Sequence, residues 1–369
     1  MKKQIISVLL FLFGCCTAHA AVRTYYIAAD PVDWDYAPSG MNQITGKPFG
    51  EEEKIWINTG PATFGSKFRK ALYREYTDDT FATLKLRPPQ WEHLGALGPL
   101  IRAEVGDTLR IVFKNNVDFP SSVHPHGVFY EKNSEGAPYT DGTTGQDKAD
   151  DAVPPGGTHT YTWEVRERTG PMMMEGTTAF WMYHSHVDET RDVNAGLIGP
   201  MIITAKGMAK EDLSPKDVDR EFIVGFFSTE EAQSQYINHN IRTYLAESDK
   251  VTIERAEFGQ RLVSTPERKQ VVERENLNGY MYGHLPMLTV KKGERVRWYL
   301  MAGTNFEIHA PHWHGNTGSL MGMRVDTTSL MTMGMQVVNM QPDAVGTWLF
   351  HCHVYNHFLG GMIARYKVE

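Results

Sequence analysis

Two stretches of this chain carry the same histidine pattern in the same order, and that repeat limits the fold more than any other feature. His124-Pro125-His126-Gly127 matches His312-Trp313-His314-Gly315. Trp181-Met182-Tyr183-His184-Ser185-His186 matches Trp348-Leu349-Phe350-His351-Cys352-His353. The run around Gly106 matches Leu288 to Arg297, each with a glycine turn inside it. The period is too long for a solenoid, so the repeat is a duplicated domain. Short alternating runs between Gly/Pro turns, such as Thr158 to Val165 after Pro154-Pro155-Gly156-Gly157, predict strands with little helix. The expected fold is all-β, built as two β-sandwich domains.

The boundaries follow from composition. Residues 21–205 form the first domain, and residues 206–220, polar, charged and carrying Pro215, form a linker. Residues 221–369 form the second domain. Tyr25 to Ala29 reads as a first strand, and Asp30 to Gly60 as a long connection. Residues 229–280 break the pattern, with a helix expected near Ser228 to Asn240.

Residues 1–20 read as a secretory signal: Lys2 and Lys3, an apolar run from Ile5 to Phe13, then Ala18-His19-Ala20 as the cleavage site. A looser alternative is a lipoprotein signal, Leu12-Phe13-Gly14-Cys15, with Cys15 lipidated. Either makes the protein periplasmic or secreted. No other segment is apolar enough to span a membrane. The formal net charge of −7 and the absence of a basic run argue against nucleic acid or an anionic membrane as partner. Of the three cysteines, Cys15 and Cys16 lie in the leader. The mature chain keeps only Cys352, so it forms no internal disulfide. A thiolate held by a metal escapes oxidation in such a compartment.

Ten of the fifteen histidines fall in these motifs. Strand alternation puts each His-x-His pair on one face. That gives eight imidazoles in four pairs: His124 and His126, His184 and His186, His312 and His314, His351 and His353. Eight is the number that three copper ions need when they also bind oxygen species. Cys352 points to the opposite face from its two histidine neighbours. With His357 and Met362 it supplies thiolate, imidazole and a weak axial thioether, the donor types of a blue-copper site. His309 lies an odd offset before His312 and supplies the second imidazole. The first repeat lacks this second centre. Ser121 stands for His309, Ser185 for Cys352 and Leu197 for Met362.

His-x-His-Gly, His-x-His, His-x-x-His-x-His and His-Cys-His-x3-His-x4-Met together resemble the motifs of multicopper oxidases across both domains. A blue site only in the second of two domains is similar to the small-laccase type, and Trp181 to Ile203 is ceruloplasmin-like. The resemblance implies cupredoxin-like Greek-key domains and four coppers: one type 1, one type 2 and two type 3. It assigns His309, Cys352, His357 and Met362 to type 1, and His124 and His312 to type 2. It assigns His126, His184, His186, His314, His351 and His353 to type 3. It implies a homotrimer with each cluster between neighbouring chains, and a laccase-like oxidation of phenols or metal ions by O2. Tyr130 and Glu135 are expected near the cluster, the latter as a proton source.

Met172 to Met174, and Met331, Met333 and Met335, offer soft thioethers for Cu(I), or fill gaps in the core. Asp147, Asp150 and Asp151 offer carboxylates for Fe(II), or form a solvated loop. A cuprous oxidase or ferroxidase in copper tolerance is therefore the alternative function, with copper nitrite reductase behind it.

Overall fold

A computed structural model describes residues 20–57, 59–60, 63–256, 259–263, 272–305 and 307–369. Apart from Ala20, the expected leader with Cys15 and Cys16 lies outside the described residues.

The first domain is two facing sheets. Val22–Asp35 pairs in parallel with Thr108–Asn115 and antiparallel with Lys67–Tyr76, and Thr158–Glu164 and Phe129–Tyr130 complete that sheet. The other sheet runs Ile101–Glu104, Ile198–Thr204, Thr178–His184, His124–Pro125. The second domain repeats the plan. Arg220–Glu230 pairs in parallel with Val296–Ala302, and Leu288–Val290, Ile363–Val368, Gly346–Cys352 and Pro311–Trp313 form the histidine-bearing sheet. In both units a short His-containing strand is the edge, paired antiparallel with the strand that carries the second His-x-His. Both domains are cupredoxin-like sandwiches.

Alternation explains the packing. Leu109, Ile111 and Phe113, with Tyr161 and Trp163 beside them on the next strand, point into the first core, all fully buried. Trp298, Leu300 and Ala302 do the same in the second, against Trp313, Phe350 and Tyr366. Two strands are apolar on both faces because the domains pack on each other. Met201 and Ile203 enter the first core, while Ile198 and Ile202 meet Ile223, Tyr299 and Met301 of the second domain. Each such side chain contributes about 1.5–3 kcal/mol on burial.

The first strand is longer than the expected Tyr25 to Ala29, running Val22–Asp35. Its aspartates read as loop but are cross-strand partners: Asp30 accepts from Tyr76 at 2.7 Å, and Asp33 pairs with Arg69 at 2.8 Å. Pro31 is tolerated because pairing with the parallel neighbour stops at Ala29 opposite Asn115, so on that side no carbonyl awaits its missing N–H. The helix expected at Ser228 to Asn240 is displaced. The strand Arg220–Glu230 occupies its first turn, and the helix is Ile237–Tyr244. The Asp30 to Gly60 connection and the 229–280 stretch meet, together with residues that flank them. Tyr36, Phe64 and Phe68 pack on Ile237, Ile241, Met281 and Tyr282. No helix among the described residues is long and apolar enough to cross a membrane.

Candidate copper centres

Cys352 ends its strand fully buried, on the core side with Phe350. The Ala310 N–H donates to its sulfur at 3.3 Å, and His357 Nδ1 lies 3.5 Å away. His309 Nδ1 is 3.2 Å from His357 Nδ1. Met362, also fully buried, is stitched to both by backbone. Cys352 N–H donates to its carbonyl at 3.1 Å, and its own N–H donates to His357 O at 2.9 Å. His357 Nε2 faces a Glu307 carboxylate oxygen at 3.2 Å. A carboxylate only accepts, so Nε2 carries the proton and Nδ1 offers its lone pair toward the sulfur. Burial pushes His309 down to about 3 and lowers His357 as well, so both rings are neutral. Burial pushes the Cys352 thiol up to about 11. Two neutral imidazoles and one sulfur, their donor atoms within 4.8 Å of one another, fit a copper ion, whose charge would draw off the thiol proton.

The other eight histidines form two matched groups. Ring centroids of His124, His126, His184 and His186 lie 5.0–5.7 Å apart in the recorded pairs, and those of His312, His314, His351 and His353 lie 4.9–5.7 Å apart. Backbone carbonyls fix the tautomers. His184 Nδ1 donates to Ser185 O at 3.0 Å, and His351 Nδ1 to Cys352 O at 2.8 Å. His124 Nδ1 donates to Glu135 O at 2.6 Å, and His312 Nδ1 to Asp326 O at 2.9 Å. These Nε2 atoms therefore carry lone pairs. In each group two of the Nε2 atoms face each other at 3.1 Å, His126 with His184 and His314 with His351. Burial holds His126 and His351 at about 4 and His184 at about 3, and lowers His124 and His314. Neutral rings with converging lone pairs fit copper.

Each group holds four of the eight histidines expected in the cluster. Among the described residues no ring contact joins the two groups. Both are open to solvent: the His186 side chain is 39% exposed and His353 is exposed.

One device shapes both groups. Gly127 (φ +78°) and Gly315 (φ +72°) follow the first His-x-His, and a β-carbon there would meet Trp181 or Trp348 at 2.3 and 2.5 Å. Only glycine lets the turn close under the indole.

The first domain shows what replaces a blue site. Ser122 N–H donates to Ser185 Oγ at 3.1 Å, as Ala310 does to Cys352. Ser185 N–H bonds Leu197 O at 3.1 Å, as Cys352 does Met362. The Ser121–Val153 bridge mirrors His309–Leu330. The fully buried Asp192 carboxyl group, its pKa raised by burial, is the acceptor there: it accepts from Ser185 Oγ at 2.6 Å, Gln235 Nε2 at 2.9 Å and Asp188 N at 3.1 Å.

Tyr130 lies beside the first group, its ring centroid 6.0 Å from that of His124. Glu135 reaches the group through its carbonyl. Its carboxylate is engaged by Lys132 and by Tyr139 Oη. The acidic run does not gather around a shared point. Asp147 is exposed, Asp150 accepts from Gly136 N at 2.7 Å, and Asp151 pairs with Lys148 at 3.0 Å. Met331 to Gly334 is a turn, so Met331, Met333 and Met335 do not line one extended face. Met333 and Met335 pack between the domains. Sequence reasoning missed Glu307, Asp192 and the Asp326 carbonyl. Glu307 had a signal, its even offset from His309; the others had none.

A multicopper oxidase family model matches residues 95–207, and a second with the same description matches residues 252–369. The chain is 39% identical to Ferroxidase HEPHL1 of Homo sapiens, covering 99% of this chain and 31% of that protein. It is 37% identical to Hephaestin of Rattus norvegicus (98% of this chain, 31% of that one) and 38% identical to Ceruloplasmin of Rattus norvegicus (94% and 32%). The chain thus spans about a third of the length of the curated relatives it matches. Among solved structures, the multicopper oxidase mgLAC aligns with a TM-score of 0.60 at 20% identity, covering 95% of this chain and 87% of that one. Another, described as a crystal structure of multicopper oxidase, aligns at 0.57 and 18%, covering 94% and 89%. Matched along both histidine-bearing domains, this chain belongs to the multicopper oxidase family.

Proposed function

We propose that the protein is a copper-dependent oxidase, laccase-like in architecture, that couples one-electron oxidation of a small donor to four-electron reduction of dioxygen to water. One observation carries the reading. Cys352 belongs to one candidate centre while its neighbours His351 and His353 belong to the other, so a continuous covalent path joins them. Bound copper would supply the one-electron chemistry and the dioxygen site. The residues do the rest. Glu307 holds the Nε2 proton of His357 and fixes the ring. Carbonyls of Glu135, Ser185, Asp326 and Cys352 fix four more. Tyr130 borders the first group.

We assign His309, Cys352, His357 and Met362 to type 1 copper, and His124 and His312 to type 2. His126, His184, His186, His314, His351 and His353 take the type 3 pair. Two open half-sites per chain support a homotrimer in which the first half-site of one chain meets the second of its neighbour. The duplication supports domains at 21–205 and 221–369 with 206–220 between them. The lone cysteine of the mature chain and the leader pattern support a periplasmic or secreted protein.

The donor is a phenol or a metal ion. Ferroxidase is the second reading, favoured by Glu307 on the outer nitrogen of His357 and by the names of the relatives. Nitrite reduction is the weakest, because Asp192 closes the equivalent of the blue site in the first domain. Oxygen uptake by the copper-loaded protein, with a phenol, Fe(II) and Cu(I) offered separately, tests the proposal. Uptake with any of them is expected. A blue protein inert to all three refutes it.

A further inference from the structure

The domain boundary runs along the sulfur site, and one first-domain side chain crosses it. A cavity of about 10 Å³, no larger than one water, is lined by Val193 and Asn194 of the first domain and by Gly303, Asn305 and His309 of the second. Asn194 is 3% exposed, near the end of the helix Glu189–Ala195. Its carboxamide uses every donor and acceptor it has. Nδ2 donates to Thr190 O at 2.8 Å and to Asn305 Oδ1 at 3.2 Å. Oδ1 accepts from Glu230 N at 2.9 Å and from Asn305 Nδ2 at 3.2 Å. The Glu230 N–H can only donate and Thr190 O can only accept, so the amide has one orientation. Asn305 is fixed in the same way, because its Nδ2 also donates to Ser228 O. The two carboxamides form a reciprocal pair across the boundary.

Both ends of the pair are anchored. On the first-domain side, the buried Lys70 Nζ donates to Asn194 O at 2.5 Å and to Glu231 Oε1 at 2.6 Å. Two residues earlier the same helix carries Asp192, which accepts from Ser185 in the first domain's own version of the site. On the second-domain side, Asn305 lies two residues before Glu307 and four before His309. Glu307 N donates to Asn305 O at 2.7 Å, and the Thr332 hydroxyl lies 2.9 Å from Asn305 O and 3.2 Å from Glu307 O. Asn305 and Glu307 are thus held to each other. The Glu307 side chain is 42% exposed, and among the described residues its carboxylate bonds only His357 Nε2, at 3.2 Å. Its place is therefore set through its backbone.

We propose that Asn194 is a positioning residue for the sulfur site of the other domain: through Asn305 it fixes the segment that carries Glu307, and with it the hydrogen bond on the outer nitrogen of His357. A carboxylate at that nitrogen favours the more positive, oxidised state of a copper ion held by the ring. Without the pair, Glu307 is free to turn into water, the oxidised state loses that support, and the potential rises. The potential test rests on the assignment of His357 to type 1 copper. The brace itself is a property of the chain and is also testable without metal.

The experiment is a redox titration of the copper-loaded protein, read at the blue absorbance. It compares Asn194→Ala, Asn305→Ala, Glu307→Gln and each Asn variant combined with Glu307→Gln. Asn305→Ala leaves Asn194 its bonds to Thr190 and Glu230, so it carries the test if Asn194→Ala folds poorly. Each Asn variant is expected to shift the one-electron equilibrium toward the reduced state about three- to tenfold, a rise of about 30–60 mV. Combined with Glu307→Gln, neither should add to what Glu307→Gln does alone. Copper-free protein with isotope-labelled histidine gives the second readout: the His357 Nε2–H should exchange with solvent at least about tenfold faster in either Asn variant. An unchanged potential overturns the proposal, and so does unchanged exchange. A shift that adds in full to that of Glu307→Gln overturns it too, since a general loosening of the domains would behave so. If oxygen uptake fails with every donor, the oxidase reading falls while the potential and exchange results stand. If the parent shows no blue absorbance, the type 1 assignment falls and the exchange result alone decides the brace.

Discussion

Glu275 offers a test of the electrostatics behind the blue site. It lies on the strand Glu273–Leu277, 2% exposed, with Gly360 packed against its side chain and Ser228 Oγ donating to it at 2.7 Å. Burial raises its pKa from 4.5 to about 8, and Glu273, Glu307 and Glu230 add to the rise. The sign follows from proton binding. Below pH 4.5 both folded and unfolded chains hold the proton, and the group costs nothing. Above it the unfolded chain ionises while the folded one keeps its proton, so stability falls as pH rises until the folded pKa is reached. At about 1.4 kcal/mol per pH unit the loss reaches on the order of 4 to 5 kcal/mol by pH 8. Glu275→Gln keeps the acceptor for Ser228 and removes the titration. In copper-free protein it should be near neutral at pH 4.5. At pH 8 it should raise the melting temperature by roughly 10 °C, taking about 2 °C per kcal/mol. Thermal unfolding of variant and parent at the two pH values is the assay. An equal shift at both, or a larger one in acid, refutes the reasoning. Copper loading should shrink the gain, since a nearby cation favours the ionised carboxylate.

Asp192→Ala leaves the buried Ser185 hydroxyl and two half-buried donors, Gln235 Nε2 and the Asp188 N–H, without their acceptor, and should cost about 3 kcal/mol in urea unfolding, with reduced copper loading. Gly127→Ala and Gly315→Ala each force a β-carbon into an indole at positive φ, so each should lower the melting temperature and the copper content, read by atomic absorption. Glu307→Gln replaces a charged acceptor on His357 and should raise the type 1 potential by about 60 mV, the one-electron equivalent of ~1.4 kcal/mol, in a redox titration.

The metal-binding frame was legible because it depends on spacing. A His-x-His pair reads the same in sequence and on a strand edge, and the odd offsets of His309 and Cys352 put them on the other face. The repeat was legible for the same reason, and it extends to hydrogen bonds: Leu197 and Met362 each accept the N–H of the residue aligned with Cys352, both at 3.1 Å. What escaped was set by distant contacts. Asp30 and Asp33 read as loop until Tyr76 and Arg69 are placed opposite them. The segments near Tyr36 and Ile237 have no periodic signal, because each finds its apolar partner in the other. Glu135 was singled out for its carboxylate, yet the backbone carbonyl is what touches His124. A carbonyl belongs to every residue, so no side-chain pattern can point to it.

The two half-sites also bear on assembly. They share edge-strand pairing, tautomer braces and an Nε2 to Nε2 distance of 3.1 Å, so neither is the degraded copy of the other. Each holds four imidazoles, although in the first domain Ser185 and Asp192 stand where the second has its sulfur site. A half-site retained without its own electron entry is useful only against a partner that has one. Contact between unlike patches is heterologous, and a repeated heterologous contact closes into a ring when its rotation permits, as the proposed homotrimer requires. Each junction of that ring would then hold eight histidines, with one Cys352 bonded directly into it through His351 and His353. On this reasoning a dilute, monomeric preparation should keep its blue colour, because His309, Cys352, His357 and Met362 all come from one chain. It should lose oxygen reduction, because neither half-site alone has the ligands for three ions. Activity that stays proportional to blue absorbance as the assembly dissociates would refute the shared site.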